Sequence, residues 1–364
     1  MTKNRIQRLW IELKKSNKEL SSFLITCPQN IFYLINFTGE GILLVSRDNN
    51  YLITDSRYIE QANQEVIDCQ VITQETGESN SQIKELYKIV KRLRIKEMGF
   101  ESDALQVSSY LSIQSIMPFL NLLPFQNIVE KMRMVKDSDE IELIKKSAEI
   151  ATSSFKQISR FIKIGVSEIS VAFRLNYKMR KNGAEKEAFD FIVTSGKRGT
   201  LIHGKPTNKK IRENELVIID FGCIYSNYNS DCTRTVLLGD FSKEQKKIFD
   251  IVKYAQEKTL QQVRAGEKCS KLDTFARKMI EESGYGKYFS HSLGHGVGLD
   301  IHELPRLSPN DDTILQPGMV VTIEPGIYLP DVGGVRIEDT VVVTEKGCEI
   351  LTELPKVLSV FNYI

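Results

Sequence analysis

The first third of the chain alternates short apolar runs with segments of amphipathic pattern. Residues 23–26, 41–46 and 51–54 are apolar runs punctuated by proline, glycine or an Asp-Asn-Asn turn, so each is predicted to be a strand. Between positions 81 and 93, apolar residues recur every three or four positions, which is the spacing of one helix face. The pattern predicts a small α/β unit.

A longer helix is predicted to begin near Asp137 and Ser138, because both residue types are good N-caps. Its apolar residues follow one another in steps of three or four as far as Ile162, which indicates a helix that faces a core. Gly165 is predicted to end it. The stretch before this helix contains Pro124 and a basic cluster, so we expect a domain boundary near residue 130.

Two apolar runs in the remaining part of the chain are continuous, and each ends on an acid. The first run ends on Asp220 and the second on Glu324. A turn-rich stretch follows each run and leads to a further predicted strand that carries another acid, Asp231 in the first case and Glu338 in the second. This repetition indicates a weak internal duplication.

If each pair of runs forms an antiparallel hairpin, the two acids of a pair lie directly opposite each other. The first turn is then centred on Tyr225 and Ser226 and the second on Asp331, both in plausible loop sequence. Opposite residues of a hairpin point to the same face, so each hairpin would present two carboxylates side by side. Carboxylates held that close in a buried sheet require protonation or a metal ion.

The composition restricts the partners and the compartment. The 364 residues include 49 Lys or Arg and 47 Asp or Glu, a formal net charge of +2, so we expect small partners rather than nucleic acid or a membrane surface. With 41% hydrophobic and 26% charged residues, disorder and fibrous repeats are excluded. The six cysteines show no pairing motif, and we find neither a signal-peptide core nor an apolar run of membrane-spanning length. We expect a soluble cytoplasmic protein.

All four histidines lie in one part of the chain, at positions 203, 291, 295 and 302. His291 and His295 belong to the segment HSLGHGVG, whose glycines predict a loop or bulged strand rather than a helix. The helical zinc motif H-E-x-x-H is absent. A single histidine is most often a core or surface residue, but four in glycine-rich or strand-end contexts indicate a site.

One histidine with four carboxylates is an oxygen-rich donor set, which suits divalent Mn, Co, Zn or Fe. Four negative charges balance two dications, and two ions about 3.5–4 Å apart with a bridging water would provide a hydroxide nucleophile. A buried acid pair alone could instead be a dyad that shares one proton. Residues 199–205 match part of a phosphate-binding loop, but Pro206 follows where Ser or Thr is needed, so we expect no nucleotide cofactor.

These residues resemble a known family, the metallopeptidases of the creatinase/aminopeptidase "pita-bread" fold, in the branch of Xaa-Pro aminopeptidases and prolidases. Besides the C-terminal motifs, the matching segments are 30–34, 37–39, 54–58 and 136–141. The resemblance implies an α+β fold, with a small α/β creatinase-like domain at 1–130. A pita-bread catalytic domain of pseudo-twofold, duplicated antiparallel β structure and helices would follow at 131–364.

The resemblance also implies five metal ligands. Asp231 and Glu338 would bridge two divalent ions. Asp220 would complete the coordination of one ion, and His295 with Glu324 that of the other. Manganese is the expected metal, with cobalt or zinc as alternatives.

Further site residues carry over in the same way. His203, His291 and His302 match the three histidines of the family that are not ligands and that are implicated in contacting substrate and stabilising the tetrahedral intermediate. Arg336 matches an arginine that supports the site from behind the ligands. Ile202 departs from the pattern, since many relatives have proline before this histidine, and the difference bears on local loop shape.

The implied reaction is hydrolysis of an N-terminal Xaa-Pro bond by the metal-bridging hydroxide, with Glu324 handling the water proton. The substrates would be small peptides with proline in the second position. Because proline has no amide N–H, discrimination must come from a pocket shaped for its ring. Family members are often dimers, so we expect a homodimer.

Three other functions fit the same fold. A prolidase, which cuts only dipeptides, uses the same ligands. Methionine aminopeptidase shares the metal set but normally lacks the extra N-terminal domain. A non-catalytic binding protein on this fold, such as a histone-binding domain, typically loses ligands, and all five are present here. We therefore expect an Xaa-Pro aminopeptidase, with the prolidase as the alternative.

Overall fold

The computed structural model describes residues 2–15, 20–74 and 80–357. The chain divides into two compact units, Met1–Arg133 and Met134–Ile364. Within the described ranges, we find no helix with the length and apolar character needed to cross a bilayer.

The first unit is built on a mixed sheet in the order β4-β3-β2-β1-β5-β6. Its strands are β1 (Ser22–Ile25), β2 (Gly41–Ser46), β3 (Asn50–Thr54), β4 (Gln70–Thr73), β5 (Glu97–Glu101) and β6 (Asn121–Phe125). Its helices are α1 (Thr2–Lys15), α2 (Pro28–Ile35), α3 (Ile59–Glu65), α4 (Ser81–Arg92), α5 (Val107–Ile116) and α6 (Ile128–Arg133). The three predicted strands and the helix predicted at 81–93 are confirmed as β1, β2, β3 and α4.

The second unit contains four helices and thirteen strands within its described residues. The helices are α7 (Ser138–Ile158), α8 (Glu168–Lys181), α9 (Lys243–Leu260) and α10 (Cys269–Glu282). The first strands are β7 (Lys186–Glu187), β8 (Ile192–Ser195), β9 (Glu215–Phe221), β10 (Cys223–Tyr225), β11 (Tyr228–Asn229) and β12 (Cys232–Leu238). The others are β13 (Gly294–Gly296), β14 (Glu303–Leu307), β15 (Val320–Ile323), β16 (Gly326–Leu329), β17 (Gly333–Arg336), β18 (Asp339–Val343) and β19 (Cys348–Ile350).

Helix α7 begins where the sequence predicts. Asp137 is its N-cap and accepts a hydrogen bond from the Glu140 amide, while the Glu140 side chain accepts one from the Asp137 amide, both at 3.0 Å. The regular helix ends at Ile158 and continues as a 3₁₀ turn, Ser159–Phe161, rather than as α-helix to Ile162. Tightened last turns of this kind satisfy carbonyls that lack a partner in the helix.

Two antiparallel sheets organise the second unit. The order is β12-β9-β8 in the first sheet and β14-β13-β15-β18-β19 in the second. Helices α7 and α8 bury Phe155 and Leu175 against the first sheet, and α10 buries Leu272 against the second. Each sheet therefore packs against helices, and the α+β class expected from the resemblance is present.

Alternation along β9 separates an apolar face from a polar one. Val217, Ile219 and Phe221 point into the core that includes α7 and α8. Leu216 belongs to a different core, and Asp220 shares its face because side chains of a strand alternate with a period of two. The acid at the end of this apolar run therefore faces away from α7 and α8.

The register of the first acid-bearing strand pair differs from the prediction. Asp220 lies opposite Thr233, not opposite Asp231. The turn is centred on Ser226 and Asn227, both with positive φ, as in the tight hairpin turns that match the twist of strands. Because Asp231 precedes Thr233 by two residues, the two acids still lie on the same face, although on a diagonal.

The register of the second acid-bearing pair is as predicted. In the hairpin of β16 and β17, Gly326 pairs with Arg336 and Leu329 with Gly333, so the turn is centred on Asp331. Asp331 has a φ of 66°, a conformation that aspartate tolerates better than most residues. The same register continues in β15 and β18, and it places Glu324 and Glu338 at matching positions between the two strand pairs.

A buried arginine joins β12, β18 and the segment that follows β19. Arg234 is 1% exposed and donates a hydrogen bond of 2.7 Å to the Asp339 carboxylate. The same guanidinium donates to the backbone carbonyls of Glu338 and Leu354, among others. These bonds hold the backbone of Glu338 through its carbonyl and leave its carboxylate to other partners.

We predict that Arg234→Met lowers the free energy of unfolding by about 3 kcal/mol, because buried Asp339 then keeps only Lys356 as a cationic partner and the carbonyls of Glu338 and Leu354 lose their donor. Urea denaturation measures the change. Lys145→Met is the matched control, since Lys145 pairs with Glu349 at 3.0 Å on the surface and its loss should change the stability little. Equal effects of the two substitutions would contradict the prediction.

Candidate active site

One cavity of about 510 Å³ in the second unit is lined by every site residue expected from the sequence. Those residues are His203, Asp220, Asp231, His291, His295, His302, Glu324, Arg336 and Glu338. The apolar part of the wall comes from Phe189, Phe191, Ile192, Ile202 and Ile301. Folding therefore gathers residues from distant parts of the chain around one space.

The four acids all lie at strand ends. Asp220 is the penultimate residue of β9, and Asp231 directly precedes β12. Glu324 directly follows β15, and Glu338 directly precedes β18. Asp220, Asp231 and Glu338 are buried, at 8%, 4% and 1% exposed, and Glu324 is half-buried.

His295 faces two of these acids. Its Nε2 lies 3.3 Å from Glu324 Oε1 and 3.6 Å from Asp231 Oδ2. Its Nδ1 lies 3.0 Å from the Gly296 carbonyl, which can only accept and so keeps a proton on Nδ1. Nε2 is therefore the nitrogen available to bind a metal ion. The predicted bulged strand is confirmed, since the register of β13 shifts between His295 and Gly296.

Two of the carboxylates, Asp220 and Glu338, each accept a side-chain hydrogen bond at one oxygen. Arg336 donates to Asp220 Oδ2, and the Thr233 hydroxyl donates to Glu338 Oε2 at 2.6 Å. Arg336 Nε also donates to the Thr233 hydroxyl at 3.2 Å, which joins the two supports. The other oxygen of Asp220, Oδ1, and Oδ1 of Asp231 have no hydrogen-bond partner among the residues that the structure describes.

These features fit a divalent cation. Asp231, His295 and Glu338 each offer one donor atom, and the three atoms lie within 4.8 Å of one another. Two buried oxygens without a hydrogen-bond partner are what a cation would satisfy. Oxygen donors with one imidazole suit Mn, Co or Zn, so the donor set agrees with the chemistry expected for the site.

The pKa values of the four acids also indicate a cation site. Burial and the neighbouring carboxylates raise the pKa of Asp231 and the pKa of Glu338 well above the usual range. Burial also raises the pKa of Asp220, against the charge of Arg336. At Glu324, burial is outweighed by the hydrogen bond and charge of His295, and the pKa falls to about 2. Without a cation the cluster would hold protons, and a dication supplies the missing positive charge.

His291 is engaged by the protein through both ring nitrogens. Burial lowers its pKa, which favours the neutral ring. Nδ1 donates to the Ser292 carbonyl at 2.8 Å, and Nε2 accepts from the Tyr328 hydroxyl at 2.9 Å. Arg336 donates to that hydroxyl at 3.0 Å. His291 therefore belongs to a hydrogen-bonded chain that runs through Tyr328 and Arg336 to Asp220.

His203 and His302 are exposed and line the same cavity. The rings of His302 and His295 are 4.4 Å apart between centroids and steeply inclined at 77°, so His302 lies beside the ring of the candidate metal ligand. The exposure of these two histidines leaves their ring nitrogens accessible to a bound molecule.

Sequence reasoning missed three polar residues of the site: Thr233, Thr322 and Tyr328. Thr322 accepts from the His295 amide at 3.1 Å and donates to Glu324 at 3.2 Å. Thr233 and Thr322 each stand two residues from an acid in an apolar strand, and this spacing could have revealed them. Tyr328 had no such signal, because its contact with His291 depends on how separate segments pack.

Comparison with known proteins assigns both parts of the chain. A model of the metallopeptidase family M24 matches residues 142–345, and a model of the creatinase/prolidase N-terminal domain matches residues 5–135. These matches agree with the resemblance seen in the sequence motifs, which is thereby confirmed.

Individual relatives match over nearly the full length. An Xaa-Pro dipeptidase of Pyrococcus furiosus is 38% identical over 358 residues, covering 98% of this chain and 99% of that protein. The structure of an Xaa-Pro dipeptidase from Bacillus anthracis has a TM-score of 0.94 at 41% identity and covers 99% of both chains. An X-Pro aminopeptidase from Thermotoga maritima MSB8 has a TM-score of 0.87 at 41% identity, covering 95% of this chain and 99% of that one.

The family matches, the fold and the donor set agree with one another. The catalytic-domain match spans all the acids and histidines that line the cavity. The chain belongs to metallopeptidase family M24 and is a hydrolase with a creatinase/prolidase N-terminal domain and a catalytic domain of the pita-bread fold.

Proposed function

We propose that this metallopeptidase hydrolyses the bond between the first residue and a second-position proline of small peptides. The observation that carries the proposal is the cluster of four carboxyl groups and His295 in a cavity with an apolar wall. The relatives from Pyrococcus furiosus, Bacillus anthracis and Thermotoga maritima are all named for Xaa-Pro or X-Pro activity, which supports the same substrate class.

Two divalent ions are the expected cofactor, with manganese first and cobalt or zinc as alternatives. Asp231, His295 and Glu338 supply donors to a shared position, and Asp220 and Glu324 supply the remaining ligands. When bound, such ions polarise a carbonyl as Lewis acids and make a water molecule nucleophilic near neutral pH.

The protein's own residues orient the ligands and move the proton. Arg336 and Thr233 each hold one oxygen of a ligand carboxylate, so the other oxygen keeps its direction. Glu324 accepts the proton that the attacking water loses. His203 and His302 contact the substrate and donate to the carbonyl oxygen as it becomes negative.

The apolar wall supplies the preference for proline. Phe189, Phe191 and Ile192 offer a surface for the pyrrolidine ring, and each buried methylene contributes about 0.8 kcal/mol. Proline lacks an amide N–H at the scissile bond, so the site needs no acceptor for one and can select the ring by its shape.

Removing the charge of a metal ligand tests the proposed site. Asp231→Asn and Glu338→Gln remove a charge with almost no change in volume, and we expect loss of bound metal and a fall of about 100-fold or more in kcat/KM, since even residues behind ligands account for 10- to 100-fold. Metal content by mass spectrometry and hydrolysis of an Xaa-Pro peptide measure both. Glu349→Gln, at an exposed acid, is the control. A ligand variant with full metal content and the wild-type rate sinks the assignment.

The second prediction concerns the metal itself. Chelation should abolish hydrolysis and lower the melting temperature, because ions that bind only the folded state add about 4 kcal/mol of stability at 1,000 times their Kd. Re-addition of manganese, cobalt or zinc should restore both, with manganese giving the highest rate. If the chelated protein retains its full rate, the proposed cofactor is wrong. Metal binding by wild-type protein without any peptide hydrolysis would favour the non-catalytic binding function.

A strict dipeptidase is the second candidate, and one observation favours it. The cavity lining includes the cationic side chains of Lys205 and Arg306. The free carboxylate that ends a dipeptide is a partner for such cations, whereas a longer peptide carries an uncharged amide at the same position. The metal site therefore fits a dipeptidase as well as the aminopeptidase that the sequence favours.

Turnover of Xaa-Pro and Xaa-Pro-Xaa peptides separates the two candidates. An aminopeptidase should cleave both, and a dipeptidase only the first. If Arg306 recognises the terminal carboxylate, Arg306→Gln should raise KM for the dipeptide about 10-fold or more, the equivalent of one charged hydrogen bond, and leave KM for the tripeptide unchanged. Equal changes for both peptides would remove the argument for the dipeptidase.

We also propose that the protein works in the cytoplasm as a homodimer. The family resemblance suggests the dimer, and six cysteines without a disulfide suggest a reducing compartment. Ile169, Phe173 and Tyr177 form an exposed apolar stripe along α8, in which Phe173 is 76% accessible. Exposed apolar patches are typical of surfaces that bind another protein, which supports the dimer.

A further inference from the structure

Helix α10 carries an acid and an arginine one turn apart, on the side facing the segment 289–293. Asp273 is completely buried. Arg277 donates from Nε and from one terminal nitrogen to the two oxygens of Asp273, both at 2.9 Å. This is a bidentate pair, in which the planar guanidinium fixes the direction of its remaining donors.

Those remaining donors and the carboxylate hold the backbone of the segment 289–293. Arg277 donates to the Phe289 carbonyl at 2.8 Å and to the His291 carbonyl at 2.9 Å. The Leu293 amide donates to Asp273 at 2.9 Å. The segment is neither helix nor strand, so side chains supply the partners that secondary structure would otherwise provide.

The aromatic rings of the segment are held as well. The Arg277 guanidinium lies 4.3 Å from the centre of the Phe289 ring. Phe289 in turn meets the His291 ring edge to face, with centroids 5.1 Å apart. The position of the His291 ring is therefore determined on one side by the arginine and Phe289 and on the other by Tyr328.

The segment also leads to the metal donors. The Leu293 carbonyl accepts from the Glu324 amide at 2.9 Å, and His295 follows two residues later. The pair on α10 is thus one contact away from the backbone of Glu324 and from the ring of His291. Neither Asp273 nor Arg277 lines the cavity, so both act through the residues that they hold.

We propose that Asp273 and Arg277 are positioning residues of the active site, which set the places of His291 and Leu293 through their backbone. The role in turnover rests on the proposed function. The role depends on the planar guanidinium of Arg277. The ammonium group of a lysine would keep the positive charge beside Asp273 but could not also donate to two carbonyls in fixed directions.

The test substitution is Arg277→Lys. We expect kcat to fall about 10- to 100-fold with KM and metal content near the wild-type values, because a displacement of about 1 Å at reacting groups has an effect of that size. Asp273→Glu, which moves the carboxylate by one methylene, should act in the same direction. Lys278→Arg is the matched control on the same helix, since Lys278 is exposed and lies 3.7 Å from Glu282. It should leave kcat unchanged.

A purely structural role gives a different result. In that case both variants would unfold at lower temperature while kcat and KM of the folded protein stay at wild-type values. That outcome would overturn the proposal.

Histidine NMR provides a readout that does not depend on activity. The chain has four histidines, so zinc-loaded protein labelled with ¹⁵N-histidine gives four sets of ring signals. Arg277→Lys should shift the ring signals of His291 and leave those of His203 unchanged. An unshifted His291 would overturn the proposal even if the protein cleaves peptides, and a shifted His291 in a protein that cleaves no Xaa-Pro peptide would support the positioning role while refuting the proposed function.

Discussion

Burying four carboxyl groups around one cavity is the constraint on which the rest of the catalytic unit depends. Carboxylates brought this close repel one another, and burial removes the water that would otherwise screen them. Arg336 donates to one oxygen of Asp220 and Thr233 to one oxygen of Glu338. One oxygen of Asp220 and one of Asp231 have no hydrogen-bond partner among the described residues and are available to a cation. The site is built to be completed by positive charge.

The scaffold around this cluster prevents the carboxylates from relaxing away from one another. Antiparallel pairing fixes the strand ends that carry them, and Arg234 ties the backbone beside Glu338 to β12 and the segment after β19. On the other side, Arg277 and Asp273 hold the irregular segment before β13. Buried and half-buried charged groups with several backbone partners thus lie around the site, and each orders a stretch of chain outside regular secondary structure.

The local sequence pattern was sufficient to predict features that depend on a single segment of the chain. The strand ends at Asp220 and Glu324, the N-cap at Asp137 and the bulge at His295 all followed from residue type and spacing. The first hairpin register did not follow. It depends on a tight turn at Ser226 and Asn227 that moved Asp231 to a diagonal position, and the period of two kept both acids on one face despite the shift.

The sequence by itself determined the chemistry of the site: four acids at the ends of apolar strands, histidines among glycines, and a donor set suited to divalent metals. Only the tertiary structure decided which polar groups support that chemistry. Tyr328 meets His291, and Arg277 holds its backbone, through contacts between segments that no spacing along the chain encodes. The reason is physical, since residue type sets what a side chain can donate or accept, whereas packing of distant elements sets which partner it meets.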